Sequence, residues 1–284
     1  MPDIIKVKSE DFENVYELLA EFNNPRITKS DWQRLFVDRW NTGKDYFGYM
    51  ICENNKVMGF LGLIFSQRNI KGNNYNFCNL TSWIVRKEYR SFSLTLLSKV
   101  VKEHKDYIIT SLTPSSDVKT IYDRFKFIEI GRFSFIIAPM PYFSFNRNIK
   151  FEFSADLIMG SVDSSLQKII HDHLQFDCFF SKITFKEQSC LLIYNKVFKR
   201  GIPIIRIIYV SDKEMFRKNI SRICMRLCIR HWALGMMIYD DLISEEILKG
   251  KIYKKIEQSR SFLSTQGQIE QIDMLYSEIV ILNV

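Results

Sequence analysis

The sequence predicts an α+β protein whose sheet is mixed, mostly antiparallel, and flanked by helices. Three observations predict it. Alternating apolar runs come in pairs across turn residues, as in "YMICENNKVMGFLGLIF" and "LLIYNKVFKRGIPIIRIIYV", the mark of β-hairpins. Between such runs lie segments with apolar residues at helical spacing. The order hairpin, helix, strand occurs once before residue 139 and again, more loosely, after residue 148. The chain therefore reads as two related α+β units.

Each element follows from local chemistry. Ser9 is placed to cap a first helix carrying Phe12, Val15, Leu18, Leu19 and Phe22 on one face. A second helix over 29–40 follows the Asn24-Pro25 turn. Glu53-Asn54-Asn55 turns the first hairpin, because asparagine tolerates the positive φ of a tight turn. "YNFCNLTSWIV" is a third strand, and Leu94, Leu96, Leu97, Val100 and Val101 give the next helix its apolar side. "DYIITSL" is a strand, "SSDVKTIYDRF" a capped helix and "FIEIGRFSFIIAP" a strand region. The stretch "PMPYFSFNRN", 139–148, reads as a linker between a unit at 1–140 and a second at 149–284. In the second, a hairpin turns at Lys199-Arg200-Gly201, "KEMFRKNISRICMRLCIRHW" is a helix, "ALGMMIYDD" a strand, and "IDMLYSEIVILNV" a closing strand.

Composition narrows the function classes. Of the 284 residues 46 % are apolar, enough to fill a core, so a disordered chain is excluded. A net charge of +8 suits an anionic ligand. No apolar run reaches the ~20 residues of a membrane span, and "MPDIIKVKSEDF" has no signal-peptide core. The six cysteines lack C-x-x-C spacing, which indicates neither a zinc site nor a disulfide framework, and a reducing cytoplasm is expected. Without a basic tail or a reading motif, nucleic acid is not expected as a partner.

The segment "VRKEYRSFSLTLLSKVV" carries the chemistry. A strand, a short polar loop and a helix start present unpartnered amides and a favourable dipole to a pyrophosphate. Here the chain resembles the GNAT superfamily of acyl-CoA-dependent N-acyltransferases, whose pattern is Arg/Gln-x-x-Gly-x-Gly/Ala. Arg90, Ser93 and Thr95 stand at its three places, so both glycines are replaced. "NNKVMGFLGL" is similar to the superfamily's central hairpin. "SSDVKTIYDRFKFIEIG" is similar to its Asn-x-x-Ala-x-x-x-Tyr-x-x-x-Gly-Phe motif; Tyr122 and Phe127 match, while Ser115, Val118 or Lys119, and Lys126 depart.

The resemblance implies two GNAT-like units and acyl-CoA as co-substrate, with no metal. It implies backbone amides of Trp83, Ile84 and Val85 for the pantetheine arm and the oxyanion, and Arg90, Ser91, Phe92, Ser93, Leu94 and Thr95 around the pyrophosphate. Tyr122 would protonate the departing thiolate. The architecture and the phrase "NLTSWIVRKEYRSFSLTLL" also look like bacterial nucleotide-sugar N-acyltransferases, which acylate a dTDP-linked amino-dideoxyhexose, with acetyl or 3-hydroxybutanoyl as donor group, for O-antigen or capsule synthesis. A protein or peptide acetyltransferase and a non-catalytic binding module remain as alternatives.

Other candidates come from the residues themselves. His173 in "HDH" offers a general base or, with His171, half a metal site; on a helix the two histidines would face apart. Asp240, beside Asp241 after a strand, is a second candidate base. Lys218, Arg222, Arg226 and Arg230 recur every four residues and form a grip for a nucleotide diphosphate or a nucleic-acid backbone, or else a solvated helix face. Trp32, Trp40, Tyr142 and Phe143 are aromatic surfaces for a sugar or base, or packing residues.

Overall fold

The computed structural model describes residues 2–70, 72–140, 149–265 and 272–283. These residues form one twelve-stranded sheet with helices on both faces. In chain order the strands are β1 Asp3–Lys6, β2 Gly48–Glu53, β3 Lys56–Ile70, β4 Asn73–Val85, β5 Ile108–Ser111, β6 Ile128–Ile137, β7 Ile149–Glu152, β8 Phe179–Phe185, β9 Gln188–Lys199, β10 Ile202–Val210, β11 Gly235–Tyr239 and β12 Tyr253–Leu263. The helices are α1 Phe12–Leu19, α2 Lys29–Gln33, α3 Ser93–Glu103, α4 Ser116–Arg124, α5 Ala155–Met159, α6 Ser164–His173, α7 Lys213–His231 and α8 Glu278–Ile281. None of the described helices is long and apolar enough to cross a membrane.

The hairpins form where the turn residues placed them. Asn54 and Asn55 both take positive φ, as do Arg200 and Gly201, and each pair closes a two-residue loop. Lys126, where the resembled motif has glycine, also lies in the left-handed region at φ 61. Ser9 is not a cap: its hydroxyl donates to the Phe36 carbonyl, and Asp11 accepts the Lys8 amide instead.

The strand order is β1-β2-β3-β4-β5-β12-β6-β11-β10-β9-β8-β7. It reads alike from either end. β4 pairs parallel with β5, and β10 pairs parallel with β11. β12, from the second half, pairs antiparallel with β5; β6, from the first half, pairs antiparallel with β11. The two then pair with each other at the centre. A pseudo-twofold axis through β6 and β12 thus relates the halves, and each half has lent its last strand to the other. In space the residues on either side of the expected linker, 139–148, interlock within one sheet. Gly131 on β6 makes this crossing fit. A Cβ there would collide with Asp240 and Arg260, the ion pair that fastens β12 beneath the end of β11.

One apolar layer spans both halves on one face of the sheet, joining α1, α2, α5 and α6 to Phe60, Ile64, Ile193 and Ile204. On the other face α3 and α4 cover the first half through Leu61, Leu63 and Leu80. There α7 covers the second half through Leu192, Ile205 and Met236. Cys224 and Cys228 are buried free thiols in that layer.

The closing segment is not the expected strand. Residues 272–283 form turns and the short helix α8, buried in the shared layer. A continuous apolar run does not distinguish a buried strand from a buried helical turn, and Tyr276 and Asn283 take positive φ, which breaks an extended run. Polar bonds hold the segment: Arg68 pairs with Asp273, the Tyr276 hydroxyl donates to Asp172 (2.8 Å), and buried Arg206 donates to the Ile279 carbonyl (3.2 Å).

Candidate active site

The site begins where two parallel strands part. β4 and β5 are in register only at Phe77–Ile108, Cys78–Ile109 and Asn79–Thr110; β4 runs on to Val85 while β5 stops at Ser111. Opposite this gap β4 carries a bulge. Phe60 pairs with Ile84 and Gly62 with Thr81, and Ser82 takes φ 51 to absorb the extra residue. The Arg86 amide donates to Met58 on the β3 side, so alternation turns the Val85 amide toward the gap, where no strand meets it. Unpaired strand amides beside a cleft are ready donors for an extended ligand or an oxyanion.

A cavity of about 370 Å³ fills the gap. Phe22, Asn24, Ile27 and Trp32 line it from one face of the sheet, and Val118 and Tyr122 from the other. It is therefore a passage through the sheet, with α4 at one mouth and the α1–α2 connection at the other. Trp32, almost fully buried, stacks on Phe22 at the second mouth.

Two titratable groups meet there. Tyr122 lies in the last turn of α4 with its ring on Phe127 (centroids 4.4 Å apart) and near Trp83 (6.2 Å), and its hydroxyl donates to Ser111 Oγ (3.0 Å). Burial pushes its pKa well above the usual phenol value, so it holds its proton at neutral pH. Glu278, the first residue of α8, reaches the same cavity from the far end of the chain. One of its oxygens accepts from Thr113 Oγ1 (2.6 Å) and the other from Asn79 Nδ2, while Asn79 Oδ1 accepts from Thr110 (3.0 Å). Burial raises the Glu278 pKa against the opposing pull of these donors, and its charge in turn raises that of Tyr122. A proton donor and a proton acceptor thus line one cavity.

The polar loop is wound as a 3-10 turn over 87–92 and continues into α3. Ser93 has φ −56 and ψ −43, an ordinary helical conformation, and Thr95 lies inside α3. Neither position needs the left-handed freedom of glycine; a glycine there would serve only closer approach. The Ser93 amide donates to the Arg90 carbonyl. Arg90, Ser91, Leu94 and Thr95 are exposed, and Phe92 and Ser93 are half-buried.

Other sequence candidates lie elsewhere. His173 is fully buried in α6; one ring nitrogen donates to the Ile169 carbonyl, and Trp40, Phe176 and Tyr276 surround the ring. Burial lowers its pKa to about 4, so it stays neutral, and it does not line the cavity. His171 is exposed on the same helix and does not join it in a ligand set. Asp240 is a structural carboxylate: it accepts from the amides of Arg132 and Phe133 and pairs with Arg260. β11 runs opposite to β4, so Asp240 sits at the other edge of the sheet. Arg222 and Arg226 lie on α7, away from the cavity, with Arg226 over the Phe153 ring. The Trp40 indole donates to Asp172 and packs on Tyr276. Tyr142 and Phe143 fall outside the described residues.

By sequence, no family model and no curated protein matches the chain. Its fold does match solved structures. A GCN5-related N-acetyltransferase from Kribbella flavida superposes with a TM-score of 0.62 at 13 % identity, over 92 % of this chain and 70 % of that one. Another from Anabaena variabilis gives 0.60 at 11 %, over 92 % and 72 %. The GCN5-related glucosamine N-acetyltransferase region of a fungal multi-domain β-N-acetylglucosaminidase gives 0.61 at 8 %, over 93 % and 38 %. The fold is thus that of the GCN5-related N-acetyltransferases.

Proposed function

We propose that the protein transfers an acyl group from acyl-CoA to the amino group of a dTDP-linked amino-dideoxy sugar. The observation that carries acyl transfer is the pairing of Tyr122 with Glu278 in one passage between parted strands. The thioester enters from the α3–α4 side, its pantetheine arm along Trp83, Ile84 and Val85 and its pyrophosphate near Arg90–Thr95. The acceptor enters from the side of Trp32. Its neutral amine attacks the thioester carbonyl, strand amides at the bulge receive the developing oxyanion, and Glu278 takes the proton that the nitrogen loses. As the C–S bond breaks, Tyr122 gives its proton to the thiolate and regains one from solvent. The acyl group ends on nitrogen and CoA leaves as the thiol.

The sugar acceptor is supported by the sequence resemblance and by a fold neighbour that is a glucosamine N-acetyltransferase region. The test is thiol release from acetyl-CoA or 3-hydroxybutanoyl-CoA with dTDP-linked 3-amino and 4-amino dideoxyhexoses, and with a lysine peptide. Release with the amino sugars alone supports the reading. Release with the peptide alone makes the protein a peptide acetyltransferase instead.

A further inference from the structure

We propose that a basic cavity beside the reaction passage binds the phosphate or diphosphate of the acceptor, with Arg26 and Lys199 as its main contacts. The proposal rests on the transfer reading above and adds the charge class and seat of the second substrate. This cavity, about 700 Å³, is lined by Arg26, Lys196, Lys199 and Phe198, and it shares Asn24 and Leu282 with the passage that holds Glu278. β9 runs in the same direction as β4, so Lys199 at its end lies at the edge of the sheet where β4 and β5 part. One elongated ligand therefore spans both spaces, amine beside Glu278 and anion beside Lys199.

The charges are one-sided. Among the described residues no Asp or Glu lines the cavity. Arg26 donates through Nη1 to the Phe198 carbonyl, which fixes its guanidinium against the end of β9. Lys199 is half-buried, and burial, Arg206 and Arg26 together push its ammonium pKa down. A half-buried ammonium crowded by neighbouring cations is costly until an anion joins them. A phosphate relieves that repulsion and gains charge-assisted hydrogen bonds.

Calorimetric titration of the intact protein with dTDP, and separately with inorganic pyrophosphate, tests this with the donor site filled by saturating desulfo-CoA. The wild type is expected to bind both probes. Lys199→Met is expected to weaken dTDP binding by about tenfold or more, with unchanged CoA affinity and melting temperature; adding Arg26→Gln weakens it further. Arg222→Ala with Arg226→Ala, on α7, is expected to leave it unchanged. No binding of dTDP by the wild type, or equal binding by Lys199→Met, overturns the proposal. The titration needs no turnover. Lys199-dependent binding without thiol release from any acceptor would sink the transfer reading alone, whereas turnover of amines with no dTDP affinity would sink the anion site alone.

Discussion

Glu278 concentrates the conflict between stability and chemistry at a single residue. Its carboxyl pKa is raised by burial, so the folded state holds the proton more tightly than the unfolded chain. That contribution to stability is complete below the ordinary carboxylate pKa and is lost as pH rises through the folded value. Above the folded value the ionised group is a liability that a base must accept. Glu278→Gln is expected to lower kcat by roughly 10²-fold or more; a variant with undiminished rate would remove Glu278 from the mechanism. Tyr122→Phe loses the proton donor and one hydrogen bond to Ser111. Its kcat should fall with the KM for acyl-CoA nearly unchanged, and steady-state kinetics decide it. Lys126 tests the backbone. A non-glycine residue at φ 61 costs about 1 kcal/mol, partly offset by the extra freedom of an unfolded glycine. Lys126→Gly should thus be neutral to stabilising, by at most about 1 kcal/mol in denaturant unfolding; a clear loss of stability would contradict the argument.

Among the elements, the two strand-to-helix connections decide where a pyrophosphate can sit. In the first half, residues 86–92 separate β4 from α3. In the second, only Ser211 and Asp212 separate β10 from α7, and the Asp212 carboxylate accepts from the Met215 amide (2.9 Å). That helix start is already occupied by a fixed negative charge, which repels a phosphate. Isothermal titration should therefore find one CoA per chain, and two would overturn this account. Ser93→Asp places a like charge at the start of α3. An acidic residue in a first helical turn favours the helix, so the variant should fold normally and lose CoA binding, measured by the same titration. The hairpins were legible in the sequence because Asn54-Asn55 and Arg200-Gly201 act within a few residues. β12 was not, because "YKKIEQSRSFL" has little apolar alternation and gains its place from neighbours on both sides.

Considered as a whole molecule, the protein has a candidate site assembled over distances that sequence patterns do not report. Tyr122 is a candidate through a local motif, but Glu278 binds Asn79, 199 residues away, and nothing near Ser277 or Ile279 marks it as a candidate base. His173 shows the reverse. Its cluster drew attention, and the structure makes it a neutral member of the shared layer. With its pKa lowered to about 4 by burial, the folded state resists the proton that the unfolded chain binds near pH 6.5. Stability contributed above pH 6.5 is lost as pH falls toward 4, by up to roughly 3 kcal/mol. Chemical denaturation across that range should show a slope that His173→Leu flattens; an unchanged slope would assign acid lability to other groups.

The exchange of β6 and β12 also imposes an order on synthesis. As the chain leaves the ribosome, its first 140 residues carry β5 and β6 with an open seat between them, and the strand that fills it is still untranslated. An unfilled seat is a pair of exposed sheet edges, which favours chaperone binding and mispairing between nascent chains. Glu278 arrives later still. A chain truncated before residue 253 lacks both the central strand and the candidate base, so incomplete products are expected to lack the proposed activity and to aggregate.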